Sequence, residues 1–151
     1  MSGFARSLAF ALLSIVVTGV SYAQSGPYQY FPLTPCRAVD TRNANGVNGG
    51  PVINPAGQRD FAIRGTCGVP TTAKAVTLNI AVVTPSFGGY LTVWPSGTSR
   101  PLAATINFAA TDVALANGAI MGVSTNTQDL SVYNGSNGQT HIVIDVSGYF
   151  Q

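Results

Sequence analysis

From Val76 to Val82 the chain alternates without a break. Val76, Leu78, Ile80 and Val82 fall on one side of an extended backbone, and Thr77, Asn79 and Ala81 fall on the other. A period of two cannot place these apolar groups on one stripe of a helix, so the stretch is a strand with one buried face. Such a strand needs partners to satisfy its backbone and a second layer to cover its apolar side.

The same signature recurs along the chain. Arg59 to Arg64 carries Phe61 and Ile63 in step. Pro85-Ser86-Phe87-Gly88-Gly89 reads as a five-residue hairpin loop returning into Tyr90 to Trp94. Ala104 to Phe108 follows, and Val113 and Leu115 continue the pattern towards a turn at Asn117-Gly118. Ala119 to Thr125, Leu130 to Tyr133 and His141 to Val146 complete the set. Helix surfaces are normally filled with Glu, Lys and Gln, yet this chain has no Glu and a single Lys, and is rich in Thr, Val, Asn, Ser and Gly. The expectation is an all-β protein: a two-sheet antiparallel β-sandwich of jelly-roll type with eight or nine short strands.

The first residues have a different character. Arg6 precedes an apolar run from Leu8 to Val20 and the small-residue stretch Ser21-Tyr22-Ala23, the pattern of a secretory signal peptide over residues 1–23. Residues 24–35 then form an N-terminal arm whose Tyr28, Tyr30 and Phe31 precede Pro32 and Pro35, which place it at a sheet edge or outside the sheet. Residues 36–151 form the sandwich. After cleavage no membrane association is expected, and the chain is expected outside the cell or at its surface. Two cysteines in an exported chain most often pair, so Cys36 and Cys67 are expected to form a disulfide. Closing a loop of that size stabilises by roughly 3 to 4 kcal/mol in the chain-entropy model.

Charge is scarce and concentrated. Cys36-Arg37-Ala38-Val39-Asp40-Thr41-Arg42 holds three charged groups, whereas the whole chain carries a formal net charge of +2. Six scattered cations beyond Arg6 make no basic patch, which argues against nucleic acid as a partner. Asp145 lies in an otherwise apolar strand and needs a partner. Arg37 and Arg42 are the natural ones, which makes Arg37, Asp40, Arg42 and Asp145 a structural ion network joining the first strand to the last.

Catalytic chemistry finds few parts. His141 is the only histidine, and Asp145 stands about 13 Å further along the same strand face, too far to orient it. There is no Gly-x-Ser-x-Gly and no phosphate cradle. One His and two paired Cys cannot supply a zinc site. Asn43-Ala44-Asn45-Gly46 faintly resembles a calcium loop, but only Asp40 is near enough to add charge, so it reads as a turn. No catalytic residue, metal or cofactor is expected. Tyr90, Thr92 and Trp94 share the face opposite Leu91 and Val93, either as core or as an aromatic strip able to stack on sugar rings.

Pro35-Cys36-Arg37-x-x-Asp40-Thr41-Arg42, Gly65-x-Cys67-Gly68-x-Pro70, Gly89-Tyr90-Leu91-Thr92 and Asp145-Val146-x-Gly148-Tyr149-Phe150 resemble a family of secreted bacterial β-domains found alone or alongside cell-wall hydrolases and surface proteins. The resemblance runs from Phe31 to Phe150 and implies an extracellular β-sandwich without catalysis of its own; it supplies no ligand or site residues. Together these readings point to a secreted, non-enzymatic structural or adhesive surface protein. It would associate with itself into oligomers or filaments, with Tyr28, Tyr30 and Phe31 as a strand-donating arm. The alternative is a carbohydrate or cell-wall glycan binding module using Tyr90 and Trp94.

Overall fold

The computed structural model describes residues 27–151, so the expected signal peptide at residues 1–23 lies outside the described residues. Eight strands are present among them and no helix: β1 (Tyr30–Asp40), β2 (Gln58–Phe61), β3 (Ala75–Val83), β4 (Gly89–Pro95), β5 (Ile106–Phe108), β6 (Ala114–Gly122), β7 (Leu130–Asn134) and β8 (His141–Phe150). They form two four-stranded sheets, β1-β8-β3-β6 and β2-β7-β4-β5, with every pairing antiparallel.

The order follows from one rule. β1 pairs with β8, β2 with β7, β3 with β6 and β4 with β5, as in a long hairpin with its tip between β4 and β5. Rolling that ribbon so that β8 also meets β3, and β7 also meets β4, closes it into two facing sheets, the jelly-roll arrangement. The expected fold class is present in full, including the disulfide between Cys36 and Cys67.

The core lies between the sheets. Val76, Leu78, Ile80 and Val82 on β3, with Ile142, Ile144 and Val146 on β8, face Phe61, Leu91, Val93, Ile106, Leu130 and Val132 from the other sheet. The alternating stretch is therefore buried on the side its sequence indicates. Ile53, Ile63, Val69 and Ala73 join this core from the connecting loops.

Two boundaries differ from the sequence reading. No break falls between an arm and a sandwich at Cys36, because β1 runs from Tyr30 through both prolines and pairs along its length with β8. Pro32 and Pro35 are tolerated because β1 is an edge strand, with the ladder shifting register between Pro32 and Cys36. Asn117-Gly118 is not a turn. β6 passes straight through it, opposite Ile80 and Asn79, because nine consecutive pairs with β3 hold the chain extended. A local turn preference loses to a continuous ladder.

Candidate functional site

The charged stretch after Cys36 becomes a clasp. β1 and β8 place Arg37 directly opposite Asp145. Arg37 Nε donates to Asp145 Oδ1 at 2.9 Å and its Nη2 donates to Oδ2 at 3.2 Å, a two-pronged charge-assisted pair. Arg37 Nη1 also stands 3.6 Å from Asp40 Oδ2. Arg42 turns back on Asp40 instead of reaching Asp145: its Nε donates to Oδ1 at 2.8 Å and its Nη2 to Oδ2 at 2.6 Å. The hydrogen bonds from Arg42 hold the Asp40 carboxyl at about 2 against an ordinary 3.8, although burial works the other way. The same contacts raise the guanidinium pKa of both arginines, chiefly through Asp145 for Arg37 and Asp40 for Arg42. Asp145 is not sealed in the core. It lies on the outer face with a quarter of its side chain exposed, and Arg37 is about half exposed, so this pair gives register more than stability.

Around the clasp the chain's two ends are zipped together. Gln29 and Gln151 exchange backbone hydrogen bonds at 2.9 and 3.1 Å. Phe31 stacks on Tyr149 and Tyr30 tilts against Phe150, each pair with centroids 5.1 Å apart. Tyr30 crosses Gly148 and donates to Ser147 O; a Cβ on Gly148 would meet its ring and hydroxyl, the nearest atom at 2.4 Å. Tyr28 is exposed beside this seam. The disulfide fixes the other end of the stretch, joining β1 to the connection between β2 and β3 with the Cα atoms 5.6 Å apart.

His141 belongs to the same neighbourhood. Its Nδ1 lies 3.1 Å from Thr41 Oγ1, and that hydroxyl accepts from Ile142 N at 2.9 Å. Among the described residues no three His, Cys or Asp side chains gather as metal ligands.

The aromatic strip on β4 divides. Thr92 and Trp94 are buried although they face away from the core, while Tyr90 is exposed. The turn after β4 folds back over this face: Trp94 Nε1 donates to Thr98 O at 3.0 Å, and the Arg100 guanidinium lies 3.6 Å from the Tyr133 ring centroid. Tyr90 packs against Tyr133 with centroids 6.2 Å apart and covers Gly135. What reaches solvent is therefore Tyr90, Tyr133 and Arg100, with Trp94 beneath the turn that covers it.

Two residues with a large structural part were missed in the sequence. Asp129 is buried, accepts from the Ile63 and Arg64 backbone N–H groups at 2.6 and 2.7 Å, and receives Arg64 Nε as well. It ties the connection after β2 to the loop before β7. Arg59 sits over the Phe61 ring at 4.9 Å and donates to the carbonyls of Gly46, Gly49, Gly50 and Pro51. Burial lowers the Arg59 pKa. For Asp129 the available signal was a lone charge beside the apolar start of β7, since a buried charge requires partners; Arg59, next to Asp60, gave none.

The two edges of the first sheet differ. β1 is blocked by prolines, by register shifts and by the Asn48 carbonyl, which accepts from Asp40 N at 2.9 Å. β6 at the opposite edge is exposed almost throughout, and no charged residue occurs between Asp112 and Asp129. No protein-family model matches this chain, and no curated protein matches it.

Proposed function

We propose that this chain is a secreted, non-catalytic structural or adhesive module of the bacterial cell surface that works by associating with copies of itself. The observation that carries the reading is the inverted use of polar and apolar groups. Arg37, Asp40, Arg42, Arg59, Arg64, Asp129 and Asp145 are engaged in bonds within the chain. Val47, Phe87, Leu102, Val113 and Ile120 meanwhile stand more than half exposed. A surface whose charges are paired within the chain and that offers apolar groups outward favours contact over solvation. The disulfide supports an oxidising compartment.

The arm from Gln29 to Pro35 lies on β8 of its own chain and precedes the Cys36 staple. The same seam can form between copies, with the arm of one lying on β8 of the next, which is strand donation. Removing residues 24–31 should lower the assembled mass seen by light scattering and leave a folded monomer; unchanged assembly would rule out the arm.

A second reading, glycan binding, draws on the exposed Tyr90 and Arg100 and the half-buried Tyr133 on the outer face of the second sheet. Retention on peptidoglycan that disappears with Tyr90→Ala would favour it. Trp94→Ala is expected to destabilise the fold instead, because Trp94 is buried.

A further inference from the structure

The β6 edge carries more specific information than exposure alone. Thr84 N donates to Val113 O and Val123 N donates to Lys74 O, which sets the phase of the β3–β6 ladder. In an antiparallel pair, residues alternate between those that exchange hydrogen bonds with the partner strand and those whose backbone groups point away. The odd positions Leu115, Asn117, Ala119 and Met121 therefore bond to β3. Ala114, Ala116, Gly118, Ile120 and Gly122 direct their N–H and C=O groups outward, and among the described residues no backbone group meets them.

The other edges are unsuitable as partners for this one. β2 and β5 have only four and three residues, and β1 lacks two N–H groups at Pro32 and Pro35 and is capped at Asp40. The strand that fits β6 is β6 itself. Its outward residues are symmetric about Gly118, with Ala114 facing Gly122 and Ala116 facing Ile120. Their side chains are small apart from Ile120, and there is no like charge to repel. Centring the pair at Gly118 uses all five outward residues, for on the order of ten hydrogen bonds. Shifting the centre by one residue leaves some of them unpaired.

We propose that two copies of the chain join through β6, antiparallel about a twofold axis at Gly118, so that their four-stranded sheets become one continuous sheet. This deepens the self-association reading and rests on it. The interface uses the same patch on both subunits, so it closes at a dimer. Longer assemblies then require a second contact such as the exchanged arm.

Gly118 allows a selective test. It makes no ladder bond to β3, and a Cβ there meets nothing closer than Leu78 O at 3.9 Å, so Gly118→Pro removes an outward donor without removing a β3–β6 bond. Ala116→Lys places a charge in the junction without touching the core. For the full mature chain, light scattering at tens of micromolar should give at least twice the monomer mass for the parent protein. Both variants should halve that mass with an unchanged far-ultraviolet circular dichroism spectrum. A dimer that survives both substitutions overturns the β6 interface while self-association stands; a parent protein that is monomeric with and without its arm overturns both. The register has its own test: Gly118→Cys should cross-link to itself under mild oxidation and Ala114→Cys should not, whereas equal cross-linking overturns the axis at Gly118.

Discussion

β1 and β6 are the two edges of one sheet, and they treat the same physical problem in opposite ways. An edge strand exposes a row of unpaired backbone groups that can recruit another chain. β1 is defended by two prolines, two register shifts, a disulfide and a ladder of charges. β6 is longer than either edge of the other sheet and carries no charge, proline or bulge. Selection against aggregation would be expected to guard both edges. Only one edge is guarded: the clasp holds the chain's ends together, while β6 leaves its outward backbone groups available, which is the asymmetry the proposed β6 contact uses.

The contrast can be broken most strongly at the staple. Replacing Cys36 and Cys67 together by serine should lower unfolding stability by about 3 to 4 kcal/mol in urea titration, since the denatured chain regains the freedom of the closed loop. A loss below about 1 kcal/mol would show that β1 is held by its strand pairing alone. Dimerisation through β6 should persist in the oxidised parent and in any serine variant that remains folded.

A smaller effect is expected at Asp40. Its folded pKa lies below the unfolded value, so its contribution is present above about pH 3.8 and is lost as pH falls towards about 2. Asp40→Asn should cost about 1 to 2 kcal/mol at neutral pH, a figure reduced for the solvent around Arg42. It should also flatten the acid limb of the stability profile, measured by thermal melts from neutral pH to pH 2. An acid limb that keeps its slope would assign the dependence to other carboxylates.

The smallest effect belongs to β6. Ile120 is 66% exposed, so Ile120→Ser should change monomer stability by no more than about 0.5 kcal/mol in the same titration. A larger loss would mean that β6 is part of the core and would remove the distinction between the edges.

Much of this frame is legible in the residues. The alternation of β3 and the apolar run of β8 reveal buried strands, and Asp145 in such a run demands the partner that Arg37 supplies. What escaped depends on non-local geometry. Asn117-Gly118 has turn chemistry, yet its place opposite Asn79 and Ile80 holds it in a strand. Trp94 alternates onto the outer face, and only the fold-back of Thr98 and Arg100 buries it. Asp129 sits in an apparent turn, and its burial depends on a segment 65 residues away in sequence. Period-two reading assigns faces within a strand; it carries no information on which loop covers a face or which edge is left open.

Residue-resolved amide hydrogen exchange at increasing protein concentration reads both edges in one experiment. If β6 is the contact, the outward amides of Ala114, Ala116, Gly118, Ile120 and Gly122 become protected as concentration rises, while β1 amides stay unchanged. Protection that is independent of concentration on β6, or that grows on β1 instead, would contradict it.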